Sequence, residues 1–191
     1  MSNTEYITWK VNPLDTPAVL RNCNKCGGKQ EYKSSGLFRV NAQGRNLDIW
    51  LIYRCTCCGN SWNMEIHARV KPQSIPAAEY DAYLRNDAQL AEKCAFDKAL
   101  LRRNNALPCY DGLRFAVIGA IPQGDAEITI EGDFDLDIHL SKILRQKLGL
   151  SGAAFRELLA RKQIVGENGM DLQKARWKNG TKISLRFDNT L

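Results

Sequence analysis

Cys23-Asn24-Lys25-Cys26-Gly27 and Cys55-Thr56-Cys57-Cys58-Gly59 bound the stretch whose reading decides the fold. In each, two cysteines separated by two residues precede a glycine, so a tight turn aims both sulfurs at one point. Four thiolates at about 2.3 Å complete a tetrahedral zinc ion, the closed, structural kind of site. One C-x-x-C alone also serves thiol redox chemistry. Two in matching register, separated by strand-like sequence, point to metal. Cys23, Cys26, Cys55 and Cys58 are therefore the expected ligands of a structural Zn2+. Cys57 is the spare, either an inert neighbour or a reactive thiol beside the ion. His67 is expected to be a strand histidine, and Cys94 and Cys109 small core residues.

Working outward, Gly36–Val40 and Leu47–Tyr53 read as strands joined by the turn Asn41–Asn46, and Trp62–His67 alternates as a third. This is the layout of a three-stranded zinc ribbon, with Phe38, Trp50, Tyr53 and Trp62 as its small core. Such a domain has too little apolar area to fold unaided, and the metal contributes roughly 10–16 kcal/mol of apparent binding free energy. Upstream, Tyr6–Val11 alternates as a further strand before Asn12-Pro13 and Thr16-Pro17 interrupt it.

Past Lys71–Pro76 the pattern turns helical. Pro76–Leu84 is one helix; Asp87 N-caps another running to about Arg103. Leu113–Ile118 and Ala126–Ile130 read as short strands, either a hairpin or a bridge between domains. The acidic run Glu131, Asp133, Asp135 and Asp137 lacks the Gly and bidentate Glu of a calcium loop and reads as a connector or a negative shield. Leu140–Leu148 then forms an amphipathic helix ended by Gly149, and Ser151 caps the next, with Ala154, Phe155, Leu158 and Leu159 on its apolar face. Lys147 falls near the apolar stripe and is expected to reach outward to water. Ile164-Val165, Leu172–Arg176 and Lys182–Leu185 complete a short β-region, the last entered through an Asn179-Gly180 turn. The expected fold class is α+β, with a zinc ribbon over 1–72, a helical connector with short strands over 73–132 and a basic α/β module over 133–191.

Charge separates the two ends. From Met1 to Ile138 the chain carries 16 Lys/Arg against 17 Asp/Glu; from His139 to Arg186 it carries 11 against three. Segregation this sharp is an electrostatic footprint for a polyanion. Lys142, Arg145, Arg156, Arg161, Lys162, Lys174, Arg176, Lys178 and Lys182 are the candidate RNA-binding residues. The N-terminus has no signal-peptide pattern, and no apolar run approaches the ~20 residues that span a bilayer. Seven cysteines in such a chain favour metal over disulfides, so the cytoplasm is the expected compartment and a membrane is not an expected partner.

The two helices joined at Leu148-Gly149-Leu150-Ser151, followed by short strands and an Ile183-Ser184-Leu185 strand, resemble the S-four-type RNA-binding domain over about Asp137 to Leu185. That resemblance implies a structured ligand such as ribosomal or transfer RNA, with the ribosome as the setting. The family's corner usually reads Ser-Arg-Ser; here it is Ser151-Gly152-Ala153, with Arg156, Arg161 and Lys162 nearby. The whole chain also resembles a bacterial family catalogued only as a domain of unknown function, on Phe38–Gly44, Leu47–Cys55, Trp62-Asn63 and Asn86-Asp87.

These readings favour a zinc-containing RNA-binding protein. A DNA-binding, transcription-associated zinc ribbon is the first alternative. A thiol- or RNA-modifying enzyme using Cys57 is the second. No phosphate-cradling Gly-x-x-x-x-Gly-Lys loop, His-Glu-x-x-His or nucleophile elbow is present, so no catalytic residue is assigned.

Overall fold

The computed structural model describes residues 4–43 and 45–187, the side chain of Gln43 excepted; Gly44 of the expected turn and the last four residues of the expected basic module lie outside them. The described elements are β1 (Glu5–Pro13), β2 (Ala18–Cys23), β3 (Gly28–Gln43), β4 (Asn46–Cys55), β5 (Ser61–Val70), α1 (Ala77–Leu84), α2 (Ala88–Phe96), α3 (Lys98–Arg103), β6 (Leu107–Cys109), β7 (Phe115–Ile118), β8 (Ala126–Glu131), α4 (Leu140–Leu148), α5 (Gly152–Ala160), β9 (Ile164–Gly166) and β10 (Thr181–Leu185). The protein is mixed α+β with two five-stranded sheets. It divides into two compact units, Asp15–Leu113 and a second built from Met1–Leu14 with Arg114–Leu191.

This division differs from the expected blocks 1–72, 73–132 and 133–191. In the first unit the sheet order is β5-β4-β3-β2-β6, all antiparallel, so the three expected strands are one side of a larger sheet, with β5 at its edge and β2 and β6 added beyond β3. Strand alternation sends Leu47, Ile49, Leu51, Tyr53 and Cys55 of β4 inward. Tyr83, Ala91, Cys94, Ala95, Leu100 and Leu101 of α1–α3 join those residues in one core. The helices therefore belong to the cysteine-bearing unit because they bury the face that the sheet cannot bury alone. Trp50 and Trp62, expected in the core, are only half-buried. Trp50 alternates to the outer face, with the Arg39 guanidinium 5.7 Å from its ring.

The expected helix from Asp87 to Arg103 is two. Asp87 caps α2 by accepting the Leu90 N–H at 2.9 Å, and Asp97 repeats the device with Leu100 at 2.9 Å, restarting the helix as α3. Where the β3–β4 register shifts between Ser34 and Phe38, the Phe38 N–H is taken up by the Asn86 side-chain oxygen at 2.7 Å.

The second unit has the order β7-β1-β8-β10-β9. β1 runs parallel to β8, from Glu5 opposite Ala126 to Lys10 opposite Glu131, and antiparallel to β7. The strands β7 and β8 are thus neither a hairpin nor a bridge between domains, because β1 lies between them. Trp9, Val11, Ile128, Ile130 and Ile183 are buried, as are Leu140, Ile143 and Leu144 of α4. On α5 Phe155 alone is buried; Ala154, Leu158 and Leu159 are half-exposed. Gly149 ends α4 at φ 65°, and the Ser151 hydroxyl accepts the Ala154 N–H at 3.1 Å to start α5. Leu172–Arg176 forms no strand; its one sheet-like contact is an isolated bridge from Arg176 to His139. Among the described residues no helix is long and apolar enough to cross a membrane.

Candidate metal centre

The two cysteine turns sit at one end of the first sheet, between β2 and β3 and between β4 and β5. Both close identically: the Gly27 N–H donates to the Cys23 carbonyl at 2.9 Å, and the Gly59 N–H to the Cys55 carbonyl at 2.9 Å. Gly27 and Gly59 take φ 75° and 72°, a left-handed conformation that costs other residues roughly 1–2 kcal/mol. The turns are near-copies because the same Cys-x-x-Cys-Gly sequence closes on the same backbone hydrogen bond in each.

Cys23, Cys26, Cys55 and Cys58 bring their sulfurs within 4.8 Å of one another. Cys23 Sγ lies 3.5 Å from Cys58 Sγ, and Cys26 Sγ 3.9 Å from Cys55 Sγ. A tetrahedral ion at about 2.3 Å from each sulfur requires sulfur–sulfur separations near 3.8 Å, whereas a disulfide requires about 2.05 Å. The spacing suits one shared cation and fits no covalent pair. Cys23 and Cys55 are buried, Cys26 and Cys58 half-buried.

Two residues that sequence reasoning missed surround the cluster. Tyr32, opposite Cys55 in the β3–β4 register, hydrogen-bonds Cys23 and holds its thiol down to about 6. The Asn60 amide donates to the same sulfur at 3.9 Å. Hydrogen bonding to Cys58, and then burial, push the Cys26 thiol well above its ordinary range. A divalent ion at the centre of the four sulfurs would favour their thiolate forms by charge. The sole sequence signal for this shell was the asparagine following Gly59.

Cys57 is exposed and is not one of the four. His67 also stays apart: its Nε2 lies 3.4 Å from the Tyr83 hydroxyl, which donates to Glu79 at 2.7 Å. Cys94 is buried, and burial pushes its thiol up to about 11. Cys109, on the edge strand β6, is half-buried.

All nine basic residues singled out in the sequence are exposed. Arg145 and Arg156 converge on the α4–α5 corner, where a Cβ built on Gly152 would lie 3.8 Å from one guanidinium and 3.6 Å from the other. Arg161 pairs with Glu157 at 2.6 Å, Lys174 with Asp171 at 3.8 Å and Arg176 with Asp137 at 3.5 Å. The Lys142 amine lies 5.3 Å from the centre of the Phe115 ring. Lys182 alternates with buried Thr181 and Ile183, so it projects from the sheet face opposite their side chains. Lys162 and Lys178 occupy loops after α5 and before β10. Lys147 corrects the expectation of an outward-reaching amine: it donates to the carbonyls of Val117 at 3.1 Å and Gly119 at 2.5 Å. In the acidic run, Asp133 pairs with Lys10 at 2.8 Å.

Fold and site together define an α+β protein with four cysteines clustered closely enough that they could hold a metal. The chain belongs to DUF1062, a family of proteins of unknown function, whose match spans residues 40–170. That span contains Cys55 and Cys58 and begins after Cys23 and Cys26. No curated protein and no solved structure matches the chain.

Proposed function

We propose that the protein is a zinc-containing RNA-binding protein, its ribbon-like first unit held by a structural Zn2+ and its basic helices, similar to the S-four type, presented to structured RNA. Cys23, Cys26, Cys55 and Cys58 offer four soft sulfur donors within 4.8 Å of one another, the donor chemistry that suits zinc. Metal bound there is architectural, since four protein ligands leave no position open for substrate. Elemental analysis yielding one zinc per chain supports this half of the reading; iron in its place overturns it.

The observation that carries the RNA half is the convergence of Arg145 and Arg156 over Gly152. The S-four corner usually carries an arginine, and here the two guanidinium groups beside Gly152 come from the flanking helices instead. Arginine forks match phosphate oxygens bidentately, so two at one corner favour a folded phosphate backbone. The ion pairs of Arg161, Lys174 and Arg176 are exposed and exchange readily for phosphate contacts.

Fluorescence anisotropy with transfer RNA and ribosomal RNA fragments tests the reading. Affinity is expected to fall with salt at a log–log slope of about −0.7 to −0.9 per phosphate neutralised. The triple variant Arg145→Glu, Arg156→Glu, Arg161→Glu is expected to abolish binding without altering circular dichroism. Unchanged affinity in that variant removes the basic helices as the site, and displacement of RNA by duplex DNA at equal salt transfers the reading to DNA.

A further inference from the structure

Beside the cysteine cluster the first unit contains a cleft of about 610 Å³ that the metal reading does not use. Its volume lies within the range of small-molecule sites. The Arg21 guanidinium lies 3.9 Å from the centre of the Trp62 ring. Its Nη1 donates to the carbonyls of Asn104 at 2.6 Å and Asn105 at 3.2 Å. The plane is thereby pinned before any ligand arrives, with one side on the indole and the remainder lining the cleft.

The charges around this plane are one-sided. Arg21 and Lys29 line the cleft, and among the described residues that line it there is no carboxylate. Half-buried Arg21 is thus a cation whose hydrogen-bond partners are neutral carbonyls, and Lys29 is exposed with no ion pair among the described residues. The side chains of Asn24 and Asn105, also in the wall, make no hydrogen bond among the described residues. They leave amide donors and acceptors free. The cluster's own needs do not explain Arg21, because Tyr32 and Asn60 are the groups bonded to sulfur. A planar cation backed by an aromatic ring, a second cation and free amides match one ligand chemistry: a flat heterocycle with polar edges that carries an anion.

We propose that this cleft is a nucleotide site, in which the base stacks on the Arg21–Trp62 pair, the asparagine amides read its edge and Lys29 holds the phosphate. The site shares no residue with the basic helices and stands independently of the RNA reading.

Isothermal titration of the purified full-length, metal-replete protein with AMP, GMP, CMP and UMP tests it, with the matching nucleosides and inorganic phosphate as comparators. At least one mononucleotide is expected to bind with saturable heat and to shift the Trp62 indole N–H resonance. Arg21→Gln is expected to weaken binding at least about tenfold, the scale of one lost stacking contact. Lys29→Gln changes an exposed side chain, leaves metal content and thermal midpoint unchanged, and is expected to weaken nucleotide but not nucleoside. The triple Glu variant of the basic helices is expected to bind mononucleotide as the native chain does, so this site and the RNA reading fail separately. A tetranucleotide binding tighter than its constituent mononucleotides assigns the site to a single strand, and the reverse assigns it to free nucleotide. The proposal is overturned by absence of saturable binding at millimolar nucleotide, by undiminished binding in both Arg21→Gln and Lys29→Gln, or by inorganic phosphate binding as tightly as any nucleotide.

Discussion

The two units each carry a five-stranded sheet, yet they are built by opposite strategies. In Asp15–Leu113 four successive strands, β2 to β5, lie side by side and antiparallel, and a four-cysteine cluster ties the two turns at one end. The other sheet recruits β1 from the start of the chain and inserts it between β7 and β8, with a parallel partner register. One sheet is assembled largely from local hairpins, packed against α1–α3 and ended by the cysteine cluster. Its counterpart depends on a strand distant in sequence and on the side chains buried around it. A hairpin closes a short loop, whereas a distant pairing closes a long one whose entropy the burial it creates must offset.

The largest expected effect separates these strategies directly. Cys23→Ser with Cys55→Ser is expected to abolish zinc binding and to cost the first unit up to roughly 10–16 kcal/mol of coupled binding and folding. Elemental analysis combined with hydrogen exchange reads this: protection falls in β2–β5 and stays intact in β1, β8 and β10. Equal loss in both sheets breaks the comparison.

Trp9 supplies the reciprocal experiment. It is fully buried on β1, between β7 and β8, and its indole donates to the Ala120 carbonyl at 2.8 Å. Trp9→Ala is expected to cost about 3–5 kcal/mol. The expected signature is a lower denaturant midpoint for β1, β7 and β8 with zinc content unchanged. Metal loss in this variant would show that the N-terminal strand supports the cysteine cluster after all.

The smallest effect sharpens the electrostatics of the second unit. Hydrogen bonds from Arg186 and then Ser184 hold the Glu127 carboxyl below its usual range. A depressed folded-state pKa contributes stability above the unfolded carboxylate range and loses it as pH falls through the folded value. Glu127→Gln is expected to flatten the acid limb of this unit's stability curve by no more than about 1 kcal/mol, since both partners are solvent-accessible. An unchanged acid limb would assign that limb to other carboxylates.

Much of this was legible beforehand because it is local. The C-x-x-C-Gly spacing sets a turn within five residues, so the four cysteines that cluster could be named without knowing which strands carried them. Asp87 and Ser151 cap the helices they precede because the acceptor and the free N–H are three residues apart. Asp97, the same device inside an otherwise helical pattern, was hidden by the continuous apolar periodicity on either side of it. Strand identity in β3, β4 and β5 followed from alternation, and Gly149 marked the end of α4 as a left-handed residue should.

By itself, then, the amino-acid sequence determined the cysteine quartet, the cysteine turns, most strands and helices, and the concentration of positive charge towards the C-terminus. Tertiary structure alone decided that β1 pairs with β8, that α1–α3 share the core of the cysteine sheet, that Asn86 caps the Phe38 N–H, that Lys147 turns inward, and that Arg21 lies on Trp62. The physical reason is range: turns and caps are specified by groups a few bonds apart. A period-two apolar strand is compatible with several neighbours, and the choice falls to whichever arrangement buries the most surface with every polar group paired.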